Sequence, residues 1–211
     1  LEDIVRNAEK SFPLSDGDFV IDIGANDGTL LRFYENRSLN LIGFEPATNL
    51  MDDAKVGNTE IINNYFNSND FINKFGSKKA KIITSISMFY DLEKPNDFVH
   101  ELSEILSDDG VWILQMNYLV AMLQNNAFDN IVHEHLEYYS LQSLEFLLDK
   151  HNLEVFDVEF NNINGGSIRT YIKHKACKKF LTTNDVQEAR KSEKNLGLDT
   201  EKPYLDFANS I

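Results

Sequence analysis

Asp18-Phe-Val-Ile-Asp-Ile23, then Gly24-Ala-Asn-Asp-Gly28, then Thr29-Leu-Leu-Arg-Phe-Tyr34 is the stretch that decides the fold. The first six residues form a short β-branched, apolar run that reads as a strand, the next five a glycine turn, and the last six the start of a helix. The same alternation recurs outward from it. Leu39 to Phe44, Glu60 to Asn63 and Lys81 to Ser87 read as strands, with helices over Ala47 to Ala54 and Asp70 to Phe75. Phe98, Val99, Leu102, Ile105 and Leu106 share one face of a helix over Asn96 to Leu106, capped by Ser107-Asp-Asp-Gly110 and followed by the strand Val111 to Gln115. Strands alternating with helices imply a parallel sheet with covered faces. After an amphipathic helix over Ser140 to Lys150, Leu153 to Phe160 and Ser167 to Lys173 alternate as strands around Asn161-Asn-Ile-Asn-Gly-Gly166. A loop that short makes an antiparallel hairpin. The expectation is an α/β fold: a mostly parallel, seven-stranded sheet ending in an antiparallel pair, with helices on both faces. From Cys177 onward the chain is polar, with helical stretches around Asp185 to Leu196 and Tyr204 to Ile211.

Composition narrows the function. Twenty Lys plus Arg against 34 Asp plus Glu leave a net charge of −14 over 211 residues. Phosphate recognition needs clustered cations, so a nucleic-acid partner is not expected. The single Cys177 excludes an intrachain disulfide and a thiolate metal cluster, which fits a reducing cytoplasm. The most apolar stretch, Val111 to Leu123, is broken by Gln115 and Asn117 and falls short of the ~18 apolar residues a membrane span needs. No membrane association is expected. Leu1-Glu2-Asp3 is acidic and carries no initiator Met, which reads as a chain cut from a longer protein. No internal repeat or low-complexity segment is present.

A parallel strand that runs into a glycine turn and a helix creates a ligand site at the carboxyl edge of the sheet. The spacing here, Asp22-Ile-Gly24-Ala-Asn-Asp-Gly28, is D-x-G-x-x-x-G, and Asn26 stands where a dinucleotide fingerprint has glycine. Asp22 would sit badly beside a pyrophosphate but well near a cationic ammonium or sulfonium group. Glu45, at the end of the second strand, is placed to take both hydroxyls of a ribose. The competing reading is that Gly24 and Gly28 are ordinary turn glycines and Glu45 a surface acid.

These residues, with the closing hairpin, resemble the class I S-adenosylmethionine-dependent methyltransferases over about Asp18 to Lys173, with a departure from the commonest E/D-x-G-x-G-x-G pattern at Asn26. The resemblance implies a Rossmann-like fold, S-adenosylmethionine as cofactor, and Asp22, Gly24, Asn26, Gly28 and Glu45 as the residues that bind it. It divides the chain into a methyltransferase domain over residues 1–175 and a helical tail over 176–211 that begins a C-terminal region.

The second unusual cluster is Phe128-Asp-Asn-Ile-Val-His133-Glu134-His135-Leu-Glu-Tyr138-Tyr139-Ser140. It follows the fifth strand, so it is expected past a carboxyl strand end, on the side where the glycine turn opens. Three readings compete. The histidines satisfy backbone groups or cap the next helix. Alternatively His133, His135 and Glu137 share one side of an extended segment and hold a metal, although the spacing is not H-E-x-x-H and no metal is expected. The favoured reading is acid-base catalysis, with a histidine as base and an adjacent carboxylate to tune it.

His133-Glu-His135 with Tyr138-Tyr139, preceded by Ser87-Met-Phe-Tyr-Asp-Leu92 and followed by Asn164-Gly-Gly-Ser-Ile-Arg169-Thr-Tyr171, is similar to the sugar C-methyltransferases that act on nucleotide-linked keto-deoxysugars. That family typically has an N-terminal zinc-binding module, a central methyltransferase domain and a C-terminal domain opened by the Gly-Gly-Ser segment. The resemblance implies methyl transfer to a carbon beside a ketone through an enolate, with His135 as base, Glu134 assisting, and His133, Tyr90 and Tyr139 near the substrate. The best-known members carry Tyr where this chain has Val132, so no role of that Tyr carries over. The alternatives are an O- or N-methyltransferase of another small molecule, and a noncatalytic cofactor-binding domain.

Overall fold

Short β-branched runs become strands here because their alternate side chains find a core on each face. The computed structural model describes residues 1–55, 57 and 59–211. In chain order the elements are α1 (Glu2–Ser11), β1 (Phe19–Ile23), α2 (Thr29–Arg32), β2 (Asn40–Phe44), α3 (Met51–Ala54), β3 (Thr59–Ile62), α4 (Ser68–Phe75), β4 (Ala80–Ile86), α5 (Pro95–Ile105) and β5 (Leu106–Asn117). There follow α6 (Leu119–Gln124), α7 (Leu141–Asp149), β6 (Leu153–Asn161), β7 (Ser167–His174), α8 (Asn184–Leu196) and α9 (Lys202–Ser210). The strands form a seven-stranded sheet in the order β3-β2-β1-β4-β5-β7-β6. β1 pairs in parallel with β2 and β4, β2 pairs in parallel with β3, and β6 and β7 are antiparallel, with Glu159 opposite Arg169. The expected hairpin and parallel register are therefore present.

The chain forms two compact units, one of Leu1–Ser85 with Asp97–Ile113 and one of Ile86–Asn96 with Leu114–Ile211. In the first, Val20, Ile21, Leu41, Ile42, Ile82, Ile83 and Trp112 are buried, and full burial of such side chains contributes about 1.5 to 3 kcal/mol each. Edge-to-face ring contacts extend this core: Phe19 meets Phe71 and Phe75 at centroid distances of 5.8 and 5.3 Å. α4 starts at an Asn67 cap, whose side chain accepts from Asp70 N–H at 2.8 Å.

One boundary differs from the sequence reading. Ser107-Asp-Asp-Gly110 is not a cap after the helix but the first part of β5, which begins at Leu106 directly after α5. The polar run is held as strand by partners the sequence does not show. Lys81 reaches the Asp109 carboxylate, and a Cβ at Gly110 would lie 2.8 Å from the Ala80 carbonyl oxygen, so only glycine admits this close approach. α1 and α6 also lie outside the elements expected from sequence.

In the second unit, α7 and α8 pack on β6. α7 opens with a capping box: Ser143 N–H donates to Ser140 Oγ at 3.1 Å, and Ser140 N–H to Ser143 Oγ at 3.0 Å. Glu193 of α8 is buried, and its carboxylate accepts from Leu141 N–H at 2.5 Å, Gln142 N–H at 2.9 Å and the Tyr118 hydroxyl at 2.8 Å. The tail thereby supplies the anion at the N-terminus of α7. Among the described residues no helix is long and apolar enough to cross a membrane.

Candidate active site

In the first unit the strand order reverses at β1, whose neighbours are β2 and β4, and the crevice at the carboxyl ends of such strands is where open α/β sheets take ligands. The turn leaving β1 has positive φ at Gly24 (76°), Asn26 (51°) and Gly28 (74°). Asparagine tolerates the left-handed region, which is why Asn26 fits where the commoner pattern has glycine. Gly28 has no substitute: a Cβ there would lie 2.8 Å from the Ala54 carbonyl oxygen. Gly24 and Ala25 N–H both donate to the Phe44 carbonyl, at 2.9 and 3.0 Å, tying the turn to the end of β2.

Glu45 follows β2 and is buried, not a surface acid. Its Oε2 accepts from Asn26 N–H and its Oε1 from Ala47 N–H, both at 2.8 Å. Each carboxylate oxygen keeps acceptor capacity beyond that bond, so the pair can still receive two hydroxyls. Asp22 is buried, with Oδ1 accepting from Thr84 Oγ1 at 2.5 Å. Burial pushes its carboxyl up to about 7 and the nearby Glu45 charge adds to this, while the Thr84 hydrogen bond opposes it. Asp22 thus holds its proton far more readily than an ordinary aspartate. Asp27 lies below the usual carboxylate range because Thr29 donates to it from both its side chain, at 2.7 Å, and its N–H, at 3.0 Å. Thr84 carries no motif of its own, although a hydroxyl inside the apolar run Lys81 to Ser87 is a legible signal that sequence reasoning missed.

In the second unit, the His-Glu-His segment is clasped to the turn after β4. Leu136 and Glu137 N–H both donate to the Tyr90 carbonyl, at 3.0 and 3.1 Å, and the Tyr90 ring meets His135 edge-on at a centroid distance of 4.4 Å. His135 Nδ1 lies 2.9 Å from the Asn130 carbonyl oxygen. A carbonyl only accepts, so Nδ1 carries the proton and neutral His135 presents Nε2 as a bare acceptor. Glu134 lies against His133, with Oε1 3.3 Å from Nε2, and both side chains are exposed. The group that holds His135 is therefore the Asn130 carbonyl, a main-chain atom that no residue pattern announces. Asp91 is raised, chiefly by burial; the His135 charge opposes the shift and the Glu134 charge adds to it. Tyr90 is buried, which raises its hydroxyl, and a Ser87 hydrogen bond opposes this. Ser87 has a φ of 55°, a strained value for serine, at the end of β4. Tyr139 is buried with its ring 5.2 Å from Phe89. Among the described residues no group of three or more His, Cys, Asp or Glu is placed to hold a metal ion.

A switch-point crevice with a glycine turn and a buried carboxylate at the next strand end defines a nucleoside-cofactor site of the Rossmann-like class. Comparison with known proteins narrows this. Residues 2–158 match the methyltransferase domain family, and residues 162–211 match the C-methyltransferase C-terminal domain family. C-methyltransferase NovU of Streptomyces niveus is 31% identical over 198 residues, 92% of this chain and 46% of that protein. The chain thus spans just under half the length of this relative. Among solved structures, YcgJ of Bacillus subtilis superposes with a TM-score of 0.61 at 14% identity, covering 82% of this chain and 99% of its own. The plantazolicin methyltransferase BpumL, in complex with a triazolic desmethylPZN analog and SAH, superposes with a TM-score of 0.60 at 13% identity, covering 82% and 83%. The chain belongs to the class I S-adenosylmethionine-dependent methyltransferases through the methyltransferase domain over residues 2–158, and it is similar to C-methyltransferases over residues 162–211 and across the NovU match.

Proposed function

We propose that the protein transfers a methyl group from S-adenosylmethionine to a carbon beside the keto group of a nucleotide-linked deoxysugar, with His135 as the base. The observation that carries the reading is the Nδ1 contact to the Asn130 carbonyl, which leaves Nε2 of His135 free to accept a proton. The match of residues 162–211 to the C-methyltransferase C-terminal domain family and the 31% identity to a C-methyltransferase support carbon as the acceptor. The sugar rests on the resemblance carried by the His133-Glu-His135, Ser87 to Leu92 and Asn164 to Tyr171 segments.

Gly24, Asn26 and Gly28 would shape the cofactor turn, Glu45 would take the ribose hydroxyls and Asp22 would serve the cationic ammonium or sulfonium group. SAH bound to the similarly folded BpumL supports this assignment. The bound cofactor would supply an electrophilic methyl on a sulfonium. Carbon attacks such a methyl only as a carbanion equivalent, so the C–H beside the ketone must lose its proton while the forming enolate is stabilised. His135 Nε2 takes that proton, the Asn130 carbonyl meets the imidazolium N–H that remains, and Glu134 supplies a carboxylate next in sequence to the base, at the exposed side of the segment.

The test is hydrogen exchange without methyl transfer. In deuterium oxide the enzyme should exchange the hydrogen beside the keto group of its sugar, and His135→Asn should not, while its turnover falls at least ~100-fold, the usual scale for a general base. Exchange that survives in His135→Asn would assign the base to another group.

A further inference from the structure

Asn130 makes more contacts with the His-Glu-His segment than its place in a short helical turn requires. Its carbonyl oxygen accepts from His135 Nδ1 at 2.9 Å, from Val132 N–H at 3.1 Å and from the Tyr138 hydroxyl at 3.3 Å. Its carboxamide is tethered on both sides. Oδ1 accepts from Asn117 Nδ2 at 2.7 Å, at the end of β5, and Nδ2 donates to the Ala127 and Asn164 carbonyls, both at 3.3 Å. The Asn164 carbonyl belongs to the β6–β7 turn, and that turn approaches closely because of its two glycines. A Cβ at Gly166 would lie 2.4 Å from Ala121 Cβ, and one at Gly165 3.1 Å from Ala127 Cβ. Asn125 Nδ2 adds a bond to the Gly165 carbonyl at 2.8 Å.

Resting on the reading of His135 as base, we infer that Asn130 is a positioning residue of the reaction. Its carboxamide, braced between Asn117 and the hairpin turn, fixes the place of its own carbonyl, and that carbonyl selects the Nδ1–H tautomer of His135. The physical need is specific. A free neutral imidazole divides its proton between two nitrogens, and only the form with Nε2 bare can act as a base through that atom. A carbonyl fixed at hydrogen-bond distance from Nδ1 removes the unproductive form. The other donors to this carbonyl, Val132 N–H and the Tyr138 hydroxyl, hold the loop in the same place. The Asn164-Gly-Gly-Ser segment thereby gains a role at the base through the Asn164 carbonyl.

The test uses nitrogen-15 NMR of the histidine imidazoles on the cofactor-bound protein, with the His135 signals assigned by their loss in His135→Asn. His135 should be protonated at Nδ1 in the unaltered protein. Asn130→Ala and Asn117→Ala should each populate the Nε2–H form and lower turnover at least tenfold, with cofactor affinity unchanged within twofold. Asn130→Asp, which keeps the acceptor for Asn117, should lose less than Asn130→Ala. An Nε2–H tautomer in the unaltered protein, or an unchanged tautomer in both alanine variants, would overturn the inference. A tautomer shift without loss of turnover would keep the positioning contact and overturn His135 as the base. If Asn130→Ala does not fold, the unaltered spectrum and Asn117→Ala decide the matter alone.

Discussion

Both oxygens of Glu45 already hold main-chain N–H groups, from Asn26 and Ala47, so the side chain proposed to take the ribose also shapes the turn. Glu45→Ala should therefore weaken S-adenosylmethionine binding by ~1 to 3 kcal/mol in calorimetry, the scale of a lost hydrogen-bond acceptor at a buried site. Unchanged affinity would remove Glu45 from the cofactor site. Asp22 gives a pH dependence whose sign follows from its pKa, raised to about 7 in the folded protein from the ordinary 3.8 of an exposed aspartate. Between those values the folded protein keeps a proton that the unfolded chain has released, so stability falls as pH rises, by up to ~1.4 kcal/mol per pH unit from this group. Urea titrations of the unliganded protein from about pH 5 to about pH 7 should show that decline, and Asp22→Asn should flatten it. The same residue should favour the cationic cofactor more strongly above a pH of about 7, where its carboxylate is ionised.

Among the elements, α8 carries the clearest consequence. Removing the Glu193 carboxylate leaves the Leu141 N–H and the Tyr118 hydroxyl without their acceptor in a buried place, and Gln142 N–H without its acceptor at the surface. Each buried orphan costs about 1 to 3 kcal/mol, so Glu193→Ala should lower unfolding stability by several kcal/mol, with Glu193→Gln milder because one amide oxygen remains. A near-neutral Glu193→Ala in a urea melt would show that α8 is not needed by α7. At the hairpin, Gly166→Ala should destabilise the second unit, since φ is 126° and the added methyl would meet Ala121. The strand, turn and helix of residues 18–34 were legible because a short β-branched apolar run stops at glycine within a few residues. The start of β5 was not. Ser107-Asp-Asp-Gly110 has the chemistry of a turn, and its strand geometry comes from Ala80 and Lys81 on the neighbouring strand, partners distant in sequence.

For the whole molecule, a net charge of −14 acts on every charged ligand that approaches. S-adenosylmethionine carries one more positive charge than its demethylated product, so raising the ionic strength should weaken the first more than the second in calorimetry. Equal salt dependence would show that local geometry outweighs the field. Chelation should leave turnover unchanged if His135 works as a base rather than a ligand; stoichiometric metal on His133, His135 and Glu137 would reverse that assignment.

The order of the seven strands, the closing hairpin, the glycine turn and the acid after β2 were all determined by sequence, because each depends on local period or on residues a few positions apart, whereas α1 and α6 were not. Sequence also singled out the cluster His133-Glu134-His135, since two histidines flanking a glutamate are rare chemistry in one loop, and resemblance to the sugar C-methyltransferases pointed to His135 within it. Which partner holds that histidine was decided only by tertiary structure. The carbonyl of Asn130 looks like any other carbonyl in the sequence. It becomes a selector of tautomer only when Asn117, from the end of one strand, and Asn164, from a turn more than thirty residues later, converge on the same side chain. The ionisation of Asp22 was hidden for the same reason: a carboxyl written in a strand shows its charge, and burial beside Thr84 and Glu45 sets whether it keeps it.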